Sequence, residues 1–444
     1  MDTPARSPWN PDRLWADPLI ALLALLALLA SAYALTSRQH GTRRPAERAS
    51  LQARLTEVAL AGPRLVTRAK PLDWTKAEAQ AKAPWDRALL AVLKAELEDQ
   101  AEPTATWVER AAPPGPGGAA FRSVCLAAYG NAPLPTRSER DDIHLRLGGG
   151  HAANLLEARL RDREAGGEAL RIEAKRALLL RLGGLGLLGL GVMALAVGGL
   201  TVGIYLLVTR RQPPLAPLPA WSMSGRAAAI VSLAWFLGFF VAGTLASLLV
   251  HPFPALRWAA LPLGYALHVG WGLNLLSWAE DRPMGDLWRH LNPGRQGRDL
   301  AWGLAFLALA VLLVLAVALA TNFVLKPEQS PQRDLQDLLL ALRGWLPTLA
   351  MLLVIAGLAP LWEELLFRGF LLPILARHQR MVVALAVTAL LFGAIHLQPL
   401  ALPILSTLGL VLGLAMRHTG SLRTPILVHA CWNAAQFLLM RAFA

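Results

Sequence analysis

The sequence predicts an all-α fold: a polytopic membrane helical bundle of eight or nine transmembrane helices with a mainly helical extramembrane insert. Three observations predict it. Hydrophobic residues fill 55% of 444 positions and mean hydropathy is positive, which is too apolar for a soluble chain of this size. Several runs of about 18 or more residues carry almost no charge, each long enough to cross roughly 30 Å of hydrocarbon as a helix. Arginines gather in the loops beside these runs, where retention on the cytoplasmic face would hold them.

The first apolar run, Pro18 to Thr36, follows Arg6 and Arg13 and ends in Ala30-Ser31-Ala32-Tyr33-Ala34. Its length favours an uncleaved anchor over residues 1–36, and its small-residue ending leaves a signal peptide as the alternative. Residues 37–177 form a polar domain, with a charged stretch from Lys94 to Glu102 and a Pro/Gly break from Pro113 to Gly118. Further apolar runs fall near 178–208, 227–250, 257–278, 300–324, 341–361, 381–397, 400–416 and 424–441. They divide into helices preceding the core, 178–335, and a core over 336–444. Simple alternation puts Arg210, Arg211 and Arg226, then Arg282, Arg289, Arg295 and Arg298, then Arg377 and Arg380, then Arg417 and Arg423 on one side. That side reads as cytoplasmic and holds the N-terminus, with the insert outside. Arg38, Arg43, Arg44 and Arg48 pull the other way.

The formal charge of +13 does not imply a nucleic-acid partner, because the cations flank apolar segments and suit contact with anionic lipid. Two cysteines, Cys125 in a polar region and Cys431 inside the last run, exclude a disulfide framework and a cysteine metal cluster. Gly184 to Gly189 satisfies the G-x-G-x-x-G pattern, but no strand precedes it and it lies within a spanning run. Small residues at that density let membrane helices approach closely instead. The sequence has no P-loop, no H-E-x-x-H pair and no G-x-S-x-G elbow.

Chemistry concentrates near the C-terminus. Glu363, Glu364 and Arg368 interrupt an otherwise apolar stretch from Trp345 to Ala376. Each such residue at mid-helix costs about 2.5 to 3.5 kcal/mol on insertion, so the three need internal partners or a functional reason. Glu364 and Arg368 stand four apart and can pair, whereas Glu363 is turned about 100° away. His396 closes Phe392-Gly393-Ala394-Ile395-His396, and His429 and Asn433 share a helix face in the last run. A carboxylate, two imidazoles and an amide inside a bundle suffice for hydrolysis: a general base, a ring to position water, and donors for an oxyanion. His251 and His268 read as helix-packing hydrogen bonders.

The order E-E-x-x-x-R (Glu363, Glu364, Arg368), F-x-x-x-H (Phe392, His396) and H-x-x-x-N (His429, Asn433) resembles the CAAX-protease and bacteriocin-processing family, CPBP or Abi, over roughly residues 340–441. The resemblance implies an all-helical membrane endopeptidase acting on a membrane-associated protein or peptide. By analogy Glu363 and His396 would activate water while His429 and Asn433 hold the oxyanion. Glu363, His396 and His429 would also be the ligands if zinc takes part; the cofactor is left open, with metal-free glutamate catalysis slightly favoured. High Ala, Leu and Arg usage and the family's breadth fit a multi-pass protein of a bacterial plasma membrane. Alternatives are a non-catalytic membrane scaffold that binds partners through the outer domain, and a transporter using intramembrane charge. Alternation places His396 near the end of its helix and His429 near the start of a parallel one, at different depths. Broken or unequal helices would reconcile them.

Overall fold

The computed structural model describes residues 16–41, 49–66, 72, 74–81, 83–98, 104–164, 166–209, 217–292, 296–325, 339 and 344–442. Arg6, Arg13, Arg43, Arg44, Arg48, Arg210, Arg211 and Arg295 lie outside them. The described residues carry helices and no strands, so the all-α expectation holds. The chain divides into two compact units, Met1–Gln39 with Val192–Leu438, and His40–Gly191 with Leu439–Ala444.

The second unit is the helical polar domain. It contains α2 (Leu51–Val66), α3 (Trp74–Gln80), α4 (Pro84–Glu98), α5 (Thr104–Ala111), α6 (Pro116–Tyr129), α7 (Arg137–Arg146) and α8 (His151–Asp162), and α9 (Gly167–Val208) begins in it. α1 (Ala16–Gly41) precedes them. Trp85, Leu89 and Leu93 of α4 meet Phe121 of α6, Ile143 of α7 and Leu156 of α8 in one apolar core. Thr136 starts α7 with a capping box, its hydroxyl accepting from Glu139 N while Glu139 accepts from Thr136 N. α8 begins after Gly150, which has no side chain to cap it, and the buried carboxylate of Glu57 on α2 accepts Ala152 N–H instead. The helix predicted to start near 178 begins at Gly167, because its charged first turns pack on this domain before the apolar part begins.

The other unit is the membrane bundle, with α10 (Gly225–Val250), α11 (Ala260–Glu280), α12 (Met284–Leu291) and α13 (Gln296–Leu325). α14 (Trp345–His378), α15 (Met381–Ala394), α16 (Leu402–Thr419) and α17 (Arg423–Ala442) follow. Among the described residues, each predicted apolar run from 178 onward falls mainly on one of these helices or on α9, and residues 341–343 of the run 341–361 lie outside the described residues. Among the described residues five helices are long and apolar enough to cross a membrane: α9, α10, α13, α14 and Pro399–Thr419, which contains α16. α11 and α17 fall short through polar residues such as Asn274 and Ser277, or His429, Asn433 and Gln436. α15 falls short through length, since its 14 residues rise about 21 Å against roughly 30 Å of hydrocarbon.

Polar ties at one end of the bundle fix the helices that carry the site. Trp221 Nε1 donates to Gly369 O at 2.7 Å and Arg377 donates to Trp221 O at 2.7 Å, binding the segment before α10 to α14. Glu280 accepts from Ser222 N and Met223 N at 3.0 and 3.1 Å. The turn between α16 and α17 docks on α12 and α13: Leu422 N donates to Leu291 O at 3.1 Å and Ser421 Oγ to buried Asp299 at 2.7 Å.

Candidate active site

α14 carries Glu363 and Glu364 between two π-helical segments, Val354–Leu358 and Leu365–Leu371. The sequence explains both. Ala359 N–H bonds five residues back to Val354 O, and Leu372 N–H five back to Phe367 O. The next residues, Pro360 and Pro373, have no N–H to offer, so each register shift coincides with a donor missing from the ladder. In π register Pro360 would serve Ile355 O; that carbonyl is instead taken by Asn433 Nδ2 of α17 at 2.9 Å. Asn433 therefore fastens α17 to α14 at the break.

The Glu364–Arg368 pair lies in the middle of the bundle, both side chains 0% exposed. Glu364 Oε1 accepts from Arg368 Nη1 at 2.9 Å and from His429 Nδ1 at 2.8 Å. Arg368 Nη2 donates to Gly409 O at 2.8 Å, and the guanidinium lies over the Phe392 ring, 4.5 Å from its centroid. Close approach of α16 needs glycine there: a Cβ on Gly409 would sit 3.1 Å from Ala389 backbone atoms of α15.

His429 stands between the two carboxylates. With Nδ1 on Glu364, its Nε2 faces Glu363 Oε2 at 3.9 Å, beyond direct hydrogen-bond range. Glu363 Oε2 has no hydrogen-bond partner among the described residues. The Glu363 side chain keeps 16% exposure against 0% for Glu364, which makes Glu363 the reachable carboxylate. His396 lies past the end of α15, in a turn where Leu397 takes φ of 53°, rather than within the helix. Its Nδ1 donates to Phe392 O at 2.8 Å, so in the neutral ring Nε2 is the basic nitrogen. Phe392 touches both imidazoles, with centroids 5.3 Å from His396 and 5.5 Å from His429. The depth problem resolves because α15 is short: the turn after it stays within the thickness of the bundle.

Residues that the motifs did not name complete the surroundings. Trp362 precedes Glu363 and packs edge-on against Trp235 of α10, centroids 4.3 Å apart. His268 of α11 stacks on Trp235 and meets the edge of Trp362, each at 5.7 Å. Its Nδ1 is buried without a hydrogen-bond partner among the described residues, so aromatic packing replaces the hydrogen-bonding role expected of it. Gly272 leaves room for this contact, since a Cβ there would fall 1.9 Å from the Trp362 ring. A tryptophan beside an intramembrane carboxylate is the signal available in the sequence; its partners on α10 and α11 carry no matching spacing. His251 ends α10 as its C-cap, away from these residues.

Glu363 and His429 offer two facing donors, while His396 directs one nitrogen to a carbonyl. Among the described residues no group of three or more His, Cys, Asp or Glu is placed to hold a metal ion. As arranged, Glu363, His396 and His429 do not form the three-ligand set of a catalytic zinc site.

Residues 345–435 match the family model described as Type II CAAX prenyl endopeptidase Rce1-like. The match covers α14 through most of α17 and contains all six site residues. Comparison of the chain with curated proteins and with solved structures yields no match.

Proposed function

We propose, proceeding from the similarity of residues 345–435 to the type II CAAX prenyl endopeptidase family model, that the chain is an intramembrane endopeptidase. It cleaves a membrane-associated protein or peptide by water that glutamate and histidine activate. The observation that carries this reading is the pair of unlike carboxylates around His429. Glu364 is spent on Arg368 and His429, and Glu363 is left reachable and unpartnered 3.9 Å from His429 Nε2. A polar gap of that length suits a bridging water.

Glu363 takes a proton from the water as it attacks the scissile carbonyl, and His396 orients the water through Nε2. The tetrahedral oxyanion needs donors. His429 donates from Nε2 only in its protonated form, because Nδ1–H is directed to Glu364. In this reading the ring holds both protons throughout the cycle, with Glu364 beside Nδ1, so it adds nothing to the proton balance. Asn433 has one amide hydrogen on Ile355 O and a second for the oxyanion. Collapse of the intermediate returns the proton from Glu363 to the leaving amine, which balances the hydrolysis.

The test compares peptide termini in membranes from cells making the native chain or Glu363→Ala at matched abundance. New termini that depend on Glu363 support the reading. Identical profiles overturn it in favour of a scaffold. A chelator leaves cleavage intact in this mechanism; loss restored by zinc would show that His396 moves to complete a metal site.

A further inference from the structure

The polar domain contains a cavity of about 760 Å³ that the catalytic reading does not use. Its charged lining is Arg64 from the end of α2, Glu96 and Glu98 of α4, Arg159 of α8, and Arg171 and Lys175 of α9. Cations outnumber carboxylates four to two, and both carboxylates are already engaged. Glu96 accepts from Arg159 Nε and Tyr129 Oη, each at 2.8 Å, and Glu98 accepts from Trp74 Nε1. Arg171 is held by Asp162. Lys175 is exposed and has no ion-pair partner among the described residues. His151 lines the same cavity, its Nδ1 directed to Ala174 O at 3.2 Å. Burial first, then the charges of Arg181 and Lys175, lower its proton affinity, so the ring adds hydrogen-bonding capacity without charge. Leu65, Leu97 and Leu155 supply an apolar wall.

The position of the cavity along α9 says which anion it suits. Arg171, Lys175, Leu178, Leu182 and Leu185 follow one another on a single helix face. Leu178 is buried in the domain core, and Leu182 and Leu185 pack against it. The other face turns apolar and uncovered at Leu179 and Leu180, 55% and 69% exposed, and continues so through Leu187 and Leu190. Leu179 lies one turn beyond Lys175, a rise of about 6 Å. On a helix apolar enough to cross a membrane, Lys175 thus stands about 10 Å, two turns, before the uncharged stretch that follows Arg181.

We propose that this cavity holds the headgroup of an anionic phospholipid, its phosphate on Lys175, Arg171 and Arg64 and its glycerol backbone against Leu65, Leu97 and Leu155. The site is independent of the proposed proteolysis. A soluble anion would gain nothing from cations two turns from the uncharged stretch of α9, whereas a lipid phosphate at the surface of the bilayer is within their reach.

The full chain in detergent micelles, titrated with phosphatidylglycerol, phosphatidylcholine or water-soluble glycerol 3-phosphate, tests this by native mass spectrometry. Phosphatidylglycerol is retained over phosphatidylcholine, and glycerol 3-phosphate does not displace it. Lys175→Glu lowers that preference by at least about fivefold, Lys175→Arg keeps it, and Arg176→Glu, next in sequence but outside the lining, leaves it unchanged. Equal retention of the two lipids overturns the proposal. So does a loss with Arg176→Glu matching that with Lys175→Glu, which would mean diffuse surface charge. Displacement by glycerol 3-phosphate overturns the lipid assignment in favour of a soluble anion. Protection of buried Cys125 from thiol labelling checks that each variant keeps the domain folded.

Discussion

Two adjacent glutamates in one helix have opposite fates because a helix turns by about 100° per residue. Glu364 faces Arg368 and His429 in the buried interior; Glu363 faces the edge of the site. Substitutions therefore separate stability from activity. Glu364→Gln or Arg368→Ala leaves a buried partner charge uncompensated and lowers stability by about 3 to 5 kcal/mol, seen as a fall in the unfolding temperature of the micellar protein. Glu363→Gln removes no hydrogen bond found among the described residues, so unfolding shifts by less than about 0.5 kcal/mol while cleavage is lost. Equal destabilisation by Glu363→Gln would instead give both glutamates the same structural duty.

At the scale of elements, the site depends on a helix whose ladder two prolines interrupt and whose freed carbonyl another helix satisfies. Asn433→Ala leaves Ile355 O without its donor and costs about 1 to 3 kcal/mol. Pro360→Ala restores an N–H to the ladder, so the double variant is more stable than the sum of the single effects predicts; a thermal double-mutant cycle measures the coupling. Strict additivity would detach the π segment from Pro360. Gly409→Ala pushes α16 from α15, where a Cβ has 3.1 Å to backbone. Overpacking of that kind costs about 1 to 3 kcal/mol and disturbs the carbonyl that Arg368 uses, so unfolding temperature and cleavage fall together.

For the molecule as a whole, the polar domain brings its own pH dependence. Burial raises the Glu57 carboxyl from 4.5 to about 7, against opposing contributions from Ala152 N–H, Arg181 and Arg54. The folded domain thus holds the proton over a range in which the unfolded chain has released it. Stability falls as pH rises from about 4.5 to 7 and levels above that, a loss of about 3 kcal/mol. Urea midpoints read from Cys125 labelling between pH 5 and 8 follow this trend, and Glu57→Gln flattens it. A midpoint that rises with pH in the native chain would reverse the sign and give Glu57 an ionised role. The dependence resides in a domain outside the segment that matches the protease family model.

The sequence by itself determined the class of protein and singled out the side chains to which the proposed chemistry is assigned. Long uncharged runs have a single economical environment, and ionisable residues inside them are too costly to be incidental, so Glu363, Glu364, Arg368, His429 and Asn433 stood out against their surroundings. The i,i+4 spacing likewise made the Glu364–Arg368 pair legible, because it depends on local helix geometry alone. Where spacing gave way to packing, legibility ended. The stack of Trp235, His268 and Trp362 joins three helices far apart in sequence, the start of α9 depends on the domain it packs against, and the cavity beside Lys175 exists only once α2, α4, α8 and α9 converge. His396 sits in a turn because α15 ends early, and His429 lies between two carboxylates because α17 is fastened to α14. Local periodicity encodes which face of a helix a residue occupies; only the packed bundle decides what that face meets.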